Sequence, residues 1–149
     1  MTVDVQTEIV IDQPVDRVSG YASDPTNAPE WYANIDSVEW TSAPSVAVGS
    51  SATFVARFLG RRLEYTYEIV NVVPGGRLVM RTQQGPFPME TTYTWSPVGD
   101  RSTRMTLRNR GEPTGFARIT AGAMQRAMRR ANTKDLRNLK RILEAPRRA

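Results

Sequence analysis

The chain has 149 residues and a net charge of +5, from 20 Lys and Arg against 15 Asp and Glu, and it contains no Cys and no His. That length suits a single domain, residues 1–149, able to bury a core without a disulfide or metal staple. The two absences exclude thiol nucleophiles, Cys- or His-ligated metals and imidazole acid–base chemistry, leaving carboxylate, Tyr, Arg and Lys chemistry or binding alone.

The start, Met1 to Glu8, carries acidic residues and no basic stretch, unlike a signal peptide. No apolar run approaches the ~20 residues of a membrane span. The expectation is a cytoplasmic protein without membrane insertion. Residues 2–11 alternate, with Val3, Val5, Thr7, Ile9 and Ile11 on one face, which predicts a half-buried strand. Pro14 to Ala22 reads as a short helix with Asp12 as its N-cap. DPTNAPEWY (24–32) reads as a turn and a second short helix, and Ser37 to Thr41 as a short strand.

Residues 51–59 and 62–70 predict a hairpin with Gly60-Arg61 as a two-residue II′ turn. That turn sets Phe54 opposite Tyr67, Ala56 opposite Tyr65 and Arg57 opposite Glu64. One face is then aromatic and the other polar. Pro74-Gly75 predicts a type II turn. Strands follow at 77–83, at 89–95 with Met89, Thr91, Tyr93 and Trp95 on one face, and around Thr103, Met105 and Leu107. By the same parity Glu90 and Arg108 face outward.

From Phe116 to Glu144 the period becomes helical. Phe116, Ile119, Ala123, Ala127 and Ala131 step by three or four, flanked by Met124 and Met128 and continued by Leu136, Leu139, Ile142 and Leu143. Pro113 and Gly115 precede this helix, and Pro146 to Ala149 read as a frayed tail. Residues 112–149 hold ten basic and three acidic residues, whereas residues 1–111 hold ten and twelve. The cations Arg126, Arg129, Arg130, Arg137, Lys140 and Arg141 read as a solvated helix face that offsets the macrodipole. They lack the interleaved aromatics of a specific nucleic-acid site.

One strand, two short helices, an antiparallel meander and a long C-terminal helix define an α+β layout. The segments DPTNAPEWY, VVPGGRLVMRT (72–82), GPFPMETTYTW (85–95), TRMTLRNRGEP (103–113) and DLRNLKRILE (135–144) resemble the START-like, birch-pollen-allergen-like superfamily, and within it the bacterial polyketide cyclase/dehydrase and lipid-transport group. The resemblance implies a helix-grip fold, a curved sheet wrapped around the long helix with a cavity between them. The inward residues then become ligand contacts: Phe54, Tyr65, Tyr67, Met80, Tyr93, Trp95, Met105 and Leu107 on the sheet, and Met124, Ala127 and Met128 on the helix, with the small Ala131 also facing the sheet and leaving room. Trp31 and Tyr32 fall near the mouth. The expected function is binding of a small hydrophobic ligand such as a lipid or polyketide, by a monomer or homodimer with no metal and no cofactor. Two alternatives stand beside it. One is a polyketide cyclase/dehydratase-like enzyme using Tyr65, Tyr67 and Tyr93 as orienting or acid groups. The other is an interaction module of the chaperone-activator type.

Overall fold

The computed structural model describes residues 2–114, 116 and 119–146. Seven strands form one antiparallel sheet: β1 (Val3–Ile11), β2 (Ile35–Trp40), β3 (Ser51–Phe58), β4 (Arg61–Val73), β5 (Arg77–Gln84), β6 (Met89–Val98) and β7 (Ser102–Gly111). The order across the sheet is β1-β7-β6-β5-β4-β3-β2. The helices α1 (Val15–Ser23) and α2 (Ala28–Trp31), with a 3-10 turn at Pro25–Asn27 between them, carry the chain from one sheet edge to the other. The long helix α3 (Ala121–Glu144) lies in the concave side. This is the helix-grip architecture.

Alternation places the core. Val3, Val5 and Ile11 of β1 are buried while Asp4, Gln6 and Glu8 are exposed, as the sequence pattern requires. Register breaks between Ile35 and Ser37, between Thr66 and Tyr67, and between Ile69 and Asn71 interrupt the β2–β3 and β4–β5 ladders. Such irregularities bend strands and increase twist, which curls the sheet around α3. The Pro74-Gly75 turn is as expected: Gly75 has φ +70° and the Gly76 N–H donates to the Val73 carbonyl at 2.8 Å.

The β3–β4 turn differs from expectation. Phe58 pairs with Arg61, so Leu59 and Gly60 are the central residues, with φ of 50° and 78°. Two positive φ values make this a type I′ turn rather than II′. The register moves by two, so Phe54 faces Tyr65, Ala56 faces Leu63 and Arg57 faces Arg62. The inward and outward sets survive because a two-residue shift preserves the pleat. The expected Arg57–Glu64 pair does not form. Arg57 instead meets Asp36 at 3.0 Å and Glu64 meets Arg62 at 3.5 Å, both exposed. Leucine in the left-handed region is strained, whereas Asn-Gly is the favoured pair there. Leu59→Asn is expected to stabilise the protein by roughly 0.5–1 kcal/mol, read as a higher urea midpoint at unchanged slope.

Three further boundaries move. Asp12 does not cap α1, whose N-cap is Pro14; its carboxylate accepts from the Ser102 hydroxyl instead. The expected strand from Ser37 begins at Ile35 and ends at Trp40. The expected helix from Phe116 begins at Ala121, after Thr120, whose hydroxyl accepts the Ala123 N–H at 3.1 Å. The helix therefore has 24 residues, about 36 Å in length. Met1, Gly115, Ala117, Arg118 and the tail residues Arg147, Arg148 and Ala149 lie outside the described residues.

Helix α3 also covers the outer edge of β1. Arg129 and Lys140 donate to the Gln6 and Val10 carbonyls at 2.9 and 2.8 Å, and the Asp4 and Asp12 amides donate to Gln125 and Glu144. Two cations of the basic face thus satisfy a sheet edge that would otherwise be open to pairing. Arg126, Arg130, Arg137 and Arg141 are exposed. On the outer face of the sheet Glu90 sits between Arg81 and Arg110, at 2.8 and 2.9 Å, and Arg108 pairs with Asp4 at 2.6 Å. These partly exposed pairs contribute little stability each.

Candidate functional site

The buried apolar residues form two clusters. The larger one joins Trp31, Trp95, Met105 and Leu107 to Leu136, Leu139 and Leu143 of α3. The smaller one joins Val3, Val5 and Phe116 to Met124 and Met128. Between them lies a cavity of about 140 Å³. Its position follows from the helix sequence. The ends of the buried α3 stripe are Met and Leu, but its middle is Ala131, Asn132 and Asp135, which are small or polar and leave the space opposite the sheet unfilled.

The sheet side of the cavity carries Phe54, Tyr65, Tyr67, Met80 and Tyr93, with Tyr32 from the segment after α2. Phe54 and Tyr65 stack at 5.6 Å, and Tyr67 meets both edge-on at 5.4 and 5.1 Å. Phe116 closes the other end. Arg61 holds it from the hairpin, with the guanidinium 5.0 Å from the ring centre. Arg57, largely exposed, stands at the rim.

Of the expected contacts, Tyr32, Phe54, Tyr65, Tyr67, Met80, Tyr93, Met124 and Met128 line this cavity, as does Ala131, expected only to face the sheet. Trp31, Trp95, Met105, Leu107 and Ala127 do not. Trp31 is fully buried behind Tyr32, with ring centres 4.1 Å apart, rather than at the mouth. Met105 and Leu107 are also fully buried. The proposed Ala stripe is rotated: Ala123 is exposed and Ala127 half-buried, while Met124, Met128 and Asn132 form the buried line. Sequence reading missed Thr91, Asn109, Asn132 and Asp135. Thr91 was already on the inward face by parity, but the two helix residues carried no apolar signal.

The polar groups fall into three sets. The Tyr67 and Thr91 hydroxyls are 2.9 Å apart, and Thr91 donates to the Asn109 side-chain carbonyl at 2.6 Å. The Tyr32 and Tyr93 hydroxyls are 2.6 Å apart. The third set belongs to α3. Asp135 is 2% exposed and accepts the Ala33 N–H at 3.0 Å, while Asn132 is 6% exposed and its Nδ2 has no hydrogen-bond partner among the described residues. Burial of a polar group without a partner is costly.

Burial pushes the Tyr67 phenol up to about 12, against the opposing Thr91 hydrogen bond. Burial raises Tyr32, Tyr65 and Tyr93 as well, with the neighbouring tyrosines and Asp135 adding to it, although the Tyr32 hydrogen bond partly offsets the rise at Tyr93. These phenols stay protonated at neutral pH and serve as hydrogen-bond donors rather than bases. Burial pushes Asp135 up to about 6, against the Ala33 N–H and Lys134. Because its ordinary value is 3.8, the native state holds this proton more tightly than the unfolded chain. The contribution to wild-type stability therefore falls as pH rises from about 4 to 6, by about 3 kcal/mol. Asp135→Asn removes this dependence. Its stability gain over wild type is expected to grow across that interval and level off above pH 7, as read by urea unfolding at four pH values. A gain independent of pH would contradict the buried carboxylate.

No helix among the described residues is long and apolar enough to cross a membrane. No curated protein matches the sequence. Solved structures match over nearly the whole chain. A Thermus thermophilus protein superposes with a TM-score of 0.79 at 21% identity, covering 94% of this chain and 96% of its own. The ZhuI aromatase/cyclase of Streptomyces sp. R1128 gives 0.78 at 14% identity, covering 97% and 94%. A START superfamily protein of Mycobacterium smegmatis gives 0.81 at 14%, covering 95% and 97%. These likenesses establish a shared fold. The family described as polyketide cyclase/dehydrase and lipid transport matches residues 2–144. With that match over the helix-grip domain and its cavity, the chain belongs to the polyketide cyclase/dehydrase and lipid-transport family.

Proposed function

We propose that the protein binds a small, largely apolar ligand in the cavity between the sheet and α3. The observation that carries this reading is the seam of unfilled space between two packed clusters, faced by aromatic rings and four Met side chains yet supplied with inward hydroxyl, amide and carboxyl groups. An apolar pocket with a few convergent polar groups is the usual form of a small-molecule site. Met side chains adapt to varied ligand shapes. The test is native mass spectrometry of protein purified from its own host, followed by extraction. The expected result is a bound organic molecule released on denaturation; apo mass throughout, including after exposure to host lipid extract, would overturn the reading.

One observation favours a second reading, a cyclase or dehydratase. Asp135 is a buried cavity carboxyl held near the pH range in which it exchanges protons. The chemistry would then rest on Asp135 with Tyr65, Tyr67 and Tyr93 as neutral donors orienting a carbonyl. Holding a flexible chain in one folded shape itself lowers the barrier. Turnover that survives Asp135→Asn together with the three Tyr→Phe changes would remove this reading.

A further inference from the structure

The unpartnered Asn132 amide and the Asp135 carboxylate sit three residues apart on one helix, so their side chains emerge on the same face, one turn apart. Both line the cavity at the gap between the two clusters. Asn132 Nδ2 is buried with no acceptor among the described residues, and only one hydrogen bond to Asp135 is found there, the Ala33 N–H on Oδ1. The pair offers a donor and an anionic acceptor side by side. A single hydroxyl satisfies both, accepting from the amide and donating to the carboxylate. Hydrogen bonds to a charged group are about twice as strong as neutral ones.

The same carboxylate works against an anionic ligand. Arg57 is the one cation among the described lining residues, at the rim and 72% exposed, too well solvated to neutralise an anion held inside. The tyrosine hydroxyls carry no charge to replace it: Tyr32 pairs with Tyr93 and Tyr67 with Thr91, and Tyr65 adds only a neutral donor.

Resting on the binding reading above, we propose that Asn132 and Asp135 form a hydroxyl-recognition pair that selects neutral, hydroxylated ring compounds over both their unsubstituted and their carboxylate counterparts. The 140 Å³ cavity is of the size that accommodates one aromatic ring, and it is open at the Arg57 rim, where the second ring of a fused pair projects.

The test titrates the whole protein at pH 7.5 with three probes of one shape: 2-naphthol, naphthalene and 2-naphthoate. The expected order is naphthol about tenfold tighter than naphthalene, with naphthoate weakest. Asn132→Leu, which keeps the volume, is expected to bring naphthol and naphthalene within about threefold. Asp135→Asn is expected to restore naphthoate binding at least tenfold. Urea unfolding of each variant confirms that the fold is intact. Equal affinities for naphthol and naphthalene in the wild type, or a naphthol preference that survives Asn132→Leu, would overturn the recognition pair while leaving the binding reading standing. Failure of all three probes to bind would count against both.

Discussion

Ala131→Phe is expected to abolish uptake of 2-naphthol while leaving the protein at least as stable as wild type. Ala131 lies in the middle of α3, half-buried, beside Met128 and Asn132, and lines the cavity. A phenyl ring there occupies much of the 140 Å³. In a filled core an added ring strains its neighbours, at about 1–3 kcal/mol. Here the space already exists, and filling it adds apolar burial where the native chain has none. The expected outcome is a more than hundredfold loss of affinity, with an unfolding free energy within about 1 kcal/mol of wild type or above it. Wild-type affinity in a stable Ala131→Phe protein would place the ligand elsewhere.

The second large effect is opposite in kind. Trp31→Ala is expected to cost about 3–5 kcal/mol of stability and to lower the melting temperature by about 10 °C. Trp31 is fully buried, packed at a tilt against Tyr32 and 5.8 Å from the Tyr93 ring. Its indole N–H has no partner among the described residues, so no side-chain hydrogen bond is lost and the cost is packing alone. The backbone ties of this segment to α3, from Asn138 to the Trp31 carbonyl and from Ala33 to Asp135, remain in place. Trp31→Phe is expected to recover about half of the loss. Full stability of Trp31→Ala, checked by thermal and urea unfolding, would show that this ring is not a core element.

What the sequence revealed and what it concealed have physical causes. Strand faces were legible because alternation has a period of two, and neither a shifted turn nor a bulge between β4 and β5 changes which side Tyr65, Tyr67 and Met80 occupy. The register was not legible, because the I′ turn places Leu59, not a turn-former, at a positive φ. Phe116 and Ile119 sit at helical spacing from Ala123 yet precede the helix, since a short apolar run before the Thr120 cap mimics its period. The inward set could be read without knowing which members meet empty space. Trp95, Met105 and Leu107 share a face and a packed cluster with Tyr93, yet only Tyr93 of the four reaches the cavity. The gap is set by Ala131, Asn132 and Asp135, and polar residues on a helix are ordinarily assigned to solvent. The most informative residues of the candidate site were therefore the ones the apolar pattern passed over.

The methionines provide the most direct measurement. Met80, Met89, Met124 and Met128 line the cavity, whereas Met105 is fully buried in the packed cluster beyond it. Methyl NMR of ¹³C-methionine-labelled protein, titrated with 2-naphthol, separates these two environments in one spectrum. A ligand in the cavity shifts the four lining methyls together at a single affinity and leaves Met105 in place. Saturable binding that moves Met105 while the four lining methyls stay fixed would contradict a ligand site between the sheet and α3.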